Sequence, residues 1–134
     1  INVLARGMKA VPIAPAKENR EVYEHAFATV AAELAAGQLV CIFPEGRLTP
    51  DGAIAEFRPG LMRILAETPV PVVPLALSGL WGSLFSRYTR SVWRRLPHKL
   101  FARVRIAAGT PVSATAATPE LLRERVLALF TERP

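Results

Sequence analysis

The sequence predicts an α/β domain in which a mostly parallel sheet is flanked by helices. Short apolar segments with the length of strands alternate along the chain with segments that have the spacing of a helix. Such alternation is typical of strand–helix–strand units and of parallel sheets. The 134 residues suffice for one hydrophobic core, so we expect a single domain over residues 1–134.

Four segments are predicted to be strands. In chain order they are Val11–Ala14, Leu39–Phe43, Val72–Leu77 and Leu100–Ala107. The second and third are apolar throughout, which is typical of strands that are buried on both faces. Cys41 lies within the second, and we therefore expect a buried, structural thiol.

Three helices are predicted from spacing and end signals. They are Asn19–Ala36, Gly60–Glu67 and a last helix from Thr118 to about Thr131. Asn19 and Thr118 are suitable N-terminal caps, and Gly37 is a suitable stop for the first helix. The stretch from Gly79 to His98 is harder to assign and is compatible with one amphipathic helix.

Composition limits the possible partners and cofactors. The net charge is +6 and the pI is about 10.4, which favours an anionic partner. With one cysteine, the chain cannot form an internal disulfide, and no Cys/His spacing typical of a metal site occurs. The most apolar run, residues 70–77, contains prolines and is far shorter than the roughly 20 residues of a membrane span.

The loop after Phe43 carries residues suited to bind an anion. It continues with Pro44, Glu45, Gly46 and Arg47. Proline fixes the backbone, glycine permits a tight turn, and arginine can hold a phosphate with two parallel hydrogen bonds. Open α/β sheets usually bind ligands where strands end. The residues alone leave two interpretations open, an anion site or a surface turn with solvated charges.

Several segments, in order, resemble blocks of the glycerophospholipid acyltransferase family. Residues 41–49, Cys-Ile-Phe-Pro-Glu-Gly-Arg-Leu-Thr, are similar to a block whose usual form is Phe-Pro-Glu-Gly-Thr-Arg-Ser. Residues 70–77 resemble the apolar Val-Pro-Ile-Val-Pro-Val block, and residues 57–60 resemble the Phe-Lys-x-Gly between them. Residues 9–17 are similar to the second block of the branch that acylates lysophosphatidylethanolamine, and residues 104–112 resemble the closing strand. The implied fold is a partial glycerolipid acyltransferase fold.

The resemblance implies a set of substrate-binding residues. They are Phe43, Pro44, Glu45, Gly46, Arg47, Arg58 and Lys17. Glu45 and Arg47 are expected to hold the phosphate region of the acceptor. Arg47 directly follows glycine, whereas most members have a threonine between the two, so we expect its reach to differ. In most members an arginine ends the second block. Here the matching residues are Ala14, Pro15 and Ala16, and Lys17 directly follows them.

The histidine block of the family is not found in these 134 residues. In the family, a His-x-x-x-x-Asp block supplies the base that takes the proton from the acceptor hydroxyl, and the aspartate orients the imidazole. Five residues after His25 stands Val30, and five after His98 stands Arg103. We expect His25 to be a surface residue of a helix. We also expect the block to lie before Ile1, so that this N-terminally truncated fragment contains no catalytic residue and is inactive by itself.

The implied protein is a bacterial O-acyltransferase of phospholipid metabolism. It would move a fatty acyl group from an acyl carrier protein or coenzyme A thioester to a lysophospholipid hydroxyl, without a metal or bound cofactor. We expect it to be peripheral to the cytoplasmic face of the inner membrane. Two alternatives stay open. One changes the acceptor to lysophosphatidate or glycerol 3-phosphate, and the other is a non-catalytic lipid- or carrier-binding module.

A second candidate surface interleaves arginines with aromatic residues between positions 80 and 105. Those expected to contact an anionic membrane surface or an acyl carrier protein are Trp81, Arg87, Arg90, Trp93, Arg94 and Arg95. Tryptophan and arginine anchor proteins at the headgroup level of membranes. The alternatives are a partly buried helix with a solvated basic face, and a nucleic-acid module whose rings stack on bases. We expect no nucleic-acid partner.

Overall fold

The computed structural model describes residues 10–47, 53–79 and 104–131. Their elements, in chain order, are α1 (Arg20–Ala35), α2 (Gly60–Glu67), β1 (Leu75–Ser78), β2 (Arg105–Ala108) and α3 (Pro119–Thr131). The chain divides into two compact units. The first comprises Ile1–Ile42 and Arg63–Pro69, and the second comprises Phe43–Met62 and Val70–Pro134.

Helix α1 begins and ends where the sequence predicts. The side chain of Asn19 accepts a hydrogen bond from the backbone N–H of Val22 at 3.0 Å. After the last turn Gly37 adopts a φ of 76°, and the N–H of Gln38 donates to the carbonyl of Glu33 at 2.9 Å. A left-handed glycine followed by such a bond satisfies carbonyl groups that a helix end otherwise leaves unpaired.

The buried side chains of the first unit come from α1 and from the part of α2, residues 63–67, that belongs to this unit. Ala26, Phe27 and Val30 lie on one face of α1, and Leu65 belongs to α2. Their spacing along α1 is the apolar periodicity from which the helix was predicted. His25 is exposed on the same helix, which confirms the expectation of a surface histidine.

Within the first unit, an ion pair joins α1 to the residues of α2 that belong to it. The guanidinium of Arg63 donates to both carboxylate oxygens of Glu24, and it lies 4.3 Å from the ring centroid of Phe27 and 5.2 Å from that of Tyr23. The side chains of Arg63 and Glu24 are 39% and 48% exposed, so solvent screens the pair. The hydrogen bond from Arg63 lowers the pKa of Glu24 below its ordinary value of 4.5.

This pKa shift predicts a dependence of stability on pH. A carboxyl group whose pKa is lower in the folded chain contributes stability above its unfolded pKa, and that contribution is lost as the pH falls through the folded pKa. We therefore expect Glu24→Gln to lower the free energy of unfolding at about pH 6 and to have less effect at about pH 3.

Urea unfolding at both pH values measures this difference. The matched control is Glu33→Gln on the same helix, for which the described residues provide no ion-pair partner. An effect of Glu24→Gln that is equally large at both pH values would contradict the prediction.

In the second unit, β1 and β2 form an antiparallel pair. Leu75 lies opposite Ala108, and the pairing is extended by a bridge in which Val72 and Val112 exchange two hydrogen bonds of 2.8 Å. Ala76, in the middle of β1, is buried. The pair therefore places one side of β1 against the interior of the unit.

Helix α3 packs against β1 and contributes the buried Leu122 to the interior of the second unit. Thr118 caps it, because its Oγ1 accepts from the N–H of Leu121 at 3.1 Å, and Pro119 is its first residue. Leu122 is 2% exposed, and Ala117 just before the cap is also buried. The predicted last helix is thus confirmed with its cap.

The predicted strand Leu39–Phe43 is wrong. The segment pairs with no other strand among the described residues, and Leu39 is 102% and Phe43 73% exposed. Cys41 is exposed as well, so the expectation of a buried thiol is also wrong. An apolar run becomes a buried strand only when a partner supplies hydrogen bonds and cover. Val11–Ala14, likewise predicted to be a strand, has no regular secondary structure.

The predicted strand Val72–Leu77 is confirmed in part. Its second half forms β1, but burial on both faces is wrong, since Leu75 and Leu77 are 47% and 38% exposed while Ala76 is 3% exposed. The alternation shows a strand with one covered face.

The coarse α/β prediction is confirmed by helices together with a sheet. The described strands pair antiparallel, so a mostly parallel sheet is not seen in this part of the chain and stays a prediction. The strand predicted over Leu100–Ala107 corresponds to β2, which begins at Arg105. The possible amphipathic helix between Gly79 and His98 lies almost wholly outside the described residues.

Candidate functional site

The predicted anion-binding loop is a hydrogen-bonded turn. The N–H of Gly46 donates to the carbonyl of Phe43 at 3.1 Å, which places Pro44 at the second position of the turn, where its fixed φ is favourable. Gly46 adopts a φ of 62°, in the left-handed region that glycine occupies at little cost. The carbonyl of Pro44 also accepts from the N–H of Arg58 at 2.9 Å, which ties the turn to the segment before α2.

The carboxylate of Glu45 is held by the backbone. Its Oε2 accepts a hydrogen bond from the N–H of Ala55 at 2.8 Å, and both residues are half-buried. A charge-assisted bond of this length fixes the direction of the carboxylate. Glu45 is therefore an oriented acceptor in the loop.

The side chain of Arg58 lies against the α-carbon of Gly46. A β-carbon added at Gly46 would be 2.9 Å from Cδ of Arg58 and 3.0 Å from its Nε. Only glycine leaves room for this approach, because real β-carbons do not come so close to other heavy atoms. The structure thus brings the two predicted residues together.

The loop also presents exposed positive charge. Arg47 and Arg58 are exposed, and neither guanidinium forms an ion pair with any residue that the structure describes. Two such groups at one turn attract an anion and can each donate more than one hydrogen bond to a phosphate. Phe43 adds an exposed apolar ring at the start of the turn.

Arg123 of α3 is part of this network and was not predicted. Its Nη2 donates to the carbonyl of Ile54 at 3.0 Å, and its Nε donates to the carbonyl of Ala55 at 3.2 Å. It could not be predicted from the sequence, because its acceptors are backbone oxygens 68 and 69 residues away. An arginine in an otherwise amphipathic helix carries no local sign of such a contact.

The other predicted site residues belong to the first unit or lie outside the described residues. Lys17 is exposed in a turn before α1, in the first unit, whereas the loop belongs to the second. The six residues expected to contact a membrane or carrier lie outside the described residues. They are Trp81, Arg87, Arg90, Trp93, Arg94 and Arg95.

A groove of about 440 Å³ lies beside α3 in the second unit. Its lining residues are Glu56, Phe57, Pro119, Glu120, Arg123, Glu124 and Leu127. Its three carboxylates would repel a phosphate, and its one guanidinium is engaged with carbonyl groups. The groove therefore has the wrong charge for the anion that the loop suits.

The described part of the chain lacks two further arrangements. No group of three or more His, Cys, Asp or Glu side chains there is placed to hold a metal ion. Among the described helices, none combines the length and hydropathy that crossing a membrane requires.

Comparisons with known proteins identify relatives of this chain. The family model described as Acyltransferase matches residues 1–78, which include the loop and Arg58. A chloroplastic 1-acyl-sn-glycerol-3-phosphate acyltransferase, BAT2, of Brassica napus is 46% identical over 43 residues, which is 32% of this chain and 12% of that protein. A probable 1-acyl-sn-glycerol-3-phosphate acyltransferase of Mycoplasma pneumoniae is 35% identical over 51 residues, covering 38% of this chain and 19% of that protein. The similarity thus spans less than a fifth of either relative, and no solved structure matches the chain.

Proposed function

The chain belongs to the Acyltransferase family, and from this membership we propose that it forms the acceptor-binding part of an O-acyltransferase of glycerophospholipid metabolism. The proposed enzyme moves a fatty acyl group from an acyl carrier protein or coenzyme A thioester to a hydroxyl of a lysophospholipid. The observation that carries the proposal is the turn in which Gly46 lets the side chain of Arg58 lie against the backbone beside Arg47.

The proposed roles follow from the charges of the loop. Arg47 and Arg58, which have no ionic partner among the described residues, bind the phosphate of the acceptor. Glu45 uses Oε2 to accept from Ala55, and its Oε1 accepts from a hydroxyl of the acceptor. The two interactions would orient the glycerol backbone of the acceptor relative to its phosphate.

A phosphate monoester is the acceptor group that this site suits best. A monoester carries about 1.5 to 2 negative charges near neutral pH, whereas a diester carries one, so two arginines favour the monoester. Both curated relatives are named for 1-acyl-sn-glycerol 3-phosphate, which is a monoester. We therefore propose lysophosphatidate as the acceptor to test first. Lysophosphatidylethanolamine, which the resemblance of residues 9–17 favours, is the second.

These residues bind the acceptor and do not transfer a proton. Neither His25 nor His98 begins a His-x-x-x-x-Asp block, so no base is assigned within this sequence. A peripheral position on an anionic membrane, at the cytoplasmic face, is also proposed. It rests on the basic and aromatic pattern around Trp81 and Trp93.

Replacing the arginines of the loop tests the proposal. We expect Arg47→Gln and Arg58→Gln each to raise the Kd for a short-chain lysophosphatidate, kept below its micelle concentration, about ten- to a hundredfold. Charge-assisted hydrogen bonds contribute about 1.5–3 kcal/mol, which corresponds to that range. Isothermal titration calorimetry with the 134-residue chain measures the Kd.

The matched control is Arg125→Gln, which removes the same charge from an exposed position of α3. It should leave the Kd almost unchanged. A monoacylglycerol of the same chain length, which lacks the phosphate, should bind more weakly to the wild-type chain and equally to all variants. Equal affinity of the wild-type chain for the two lipids would refute the assignment.

A further inference from the structure

One peptide group connects α3 with the acceptor loop. The peptide between Ile54 and Ala55 accepts a hydrogen bond at its oxygen from Nη2 of Arg123, at 3.0 Å. The N–H of the same peptide donates to Oε2 of Glu45, at 2.8 Å. A guanidinium and a carboxylate from distant parts of the sequence thus bind opposite ends of one peptide dipole.

The orientation of this peptide strengthens both bonds. A cation at the carbonyl end and an anion at the N–H end both stabilise the dipole in its present direction, and each bond polarises the peptide in favour of the other. The bond from Nε of Arg123 to the Ala55 carbonyl, at 3.2 Å, limits rotation of the guanidinium. These groups are part-buried, so water screens the interaction less than at an exposed pair.

The connection bears on phosphate binding because Glu45 is a carboxylate close to both arginines. Arg47 stands two residues further along the chain, and the side chain of Arg58 lies against the neighbouring Gly46. A carboxylate that was not held by Ala55 would be free to form an ion pair with Arg47 or Arg58, and it would then compete with the phosphate for them. The hydrogen bond to Ala55 removes one carboxylate oxygen from that competition.

We propose that Arg123 is a positioning residue of the acceptor site. Through the Ile54–Ala55 peptide it holds the carboxylate of Glu45 away from the arginines of the loop, so that their guanidinium groups bind the phosphate of the acceptor. This role rests on the proposed function, because it needs the loop to bind a phosphate.

A double-substitution experiment separates this role from a general contribution to folding. In the wild-type background, Arg123→Gln releases Glu45 and should raise the Kd for short-chain lysophosphatidate about tenfold, the loss of roughly one charge-assisted bond. In a Glu45→Gln background no carboxylate is present to compete, and Arg123→Gln should change the Kd less than about twofold. Arg123→Lys keeps the charge but lacks the two-pronged guanidinium that bonds both carbonyl groups. Its Kd for short-chain lysophosphatidate should therefore lie between those of the wild type and Arg123→Gln.

The backbone amide of Ala55 gives a second readout that needs no ligand. In Arg123→Gln, its hydrogen exchange measured by NMR should become faster, and its proton signal should move upfield as the bond to Glu45 weakens. Arg125→Gln on the same helix should leave the signal where it is. Circular dichroism of each variant checks that the helix content of the chain is unchanged.

The outcomes are distinct. An equal rise in Kd in both backgrounds, or an Ala55 amide that does not respond to Arg123→Gln, overturns the positioning role. If the wild-type chain binds no lysophosphatidate while the Ala55 amide does respond, the proposed function fails and the role in acceptor binding fails with it. In that case the hydrogen bonds that connect Arg123 with Glu45 would have a structural role only.

Discussion

Gly46→Ala is expected to raise the Kd for short-chain lysophosphatidate at least about tenfold. The added β-carbon would lie 2.9 Å from Cδ of Arg58, so the arginine side chain has to leave its place against the turn. Because that side chain is flexible and exposed, moving it costs little stability, but it takes one guanidinium away from the phosphate. The backbone adds its own cost of about 1–2 kcal/mol, since alanine at a φ of 62° is strained.

Gly37→Ala provides the control for the backbone cost. Gly37 has a similar φ of 76°, but nothing lies within 4 Å of a β-carbon built there. We expect it to lose about the same stability in urea unfolding and to bind lysophosphatidate like wild type. If Gly46→Ala binds as tightly as Gly37→Ala, the contact between Gly46 and Arg58 has no part in acceptor binding.

Leu122→Ala is expected to lower the free energy of unfolding by about 2–5 kcal/mol. Leu122 is the largest fully buried side chain among the described residues, at 2% exposure, and it lies on the helix that packs against β1. Truncation removes buried apolar surface and leaves a cavity that the surroundings fill only in part. For a domain of ordinary stability, about 5–15 kcal/mol, this is a large fraction of the total.

The matched variant is Leu127→Ala in the same helix. Leu127 is 37% exposed, so less apolar surface is lost and solvent can fill the space. We expect a loss of about 1 kcal/mol or less. Urea unfolding followed by circular dichroism compares the two, and equal losses would show that the interior of the second unit is not built around Leu122.

The helices were predictable because the signals that define them are local. The Asn19 side chain contacts the N–H of a residue three positions along, and the Thr118 hydroxyl does the same at the start of α3. Each cap and its partner lie within one turn, so the sequence contains both halves of the interaction.

The strands were less predictable because their burial depends on distant partners. Leu39–Phe43 and Leu75–Ser78 are both rich in apolar residues, but only the second has a described partner strand, about thirty residues further along. Hydrophobicity alone does not show which of the two segments has a partner strand. It also does not predict whether strands pair parallel or antiparallel, and the described pair is antiparallel.

The candidate site could be predicted to the extent that its residues are close in sequence. Glu45 and Gly46 belong to one turn, Arg47 directly follows it, and Arg58 was grouped with them by resemblance to a family motif. Arg123 could not be found in that way, because it contacts main-chain atoms of residues that carry no distinctive side chain.

Because the connection between Arg123 and Glu45 runs through a peptide group, it depends little on which side chains stand at positions 54 and 55. Neither hydrogen bond involves the side chain of Ile54 or Ala55, so both positions can change in size and polarity without breaking the connection. Proline at position 55 is the exception, because it has no N–H to donate to Glu45. The outline of the segment beside the acceptor loop can therefore vary between homologues while the two charged ends of the connection stay in place.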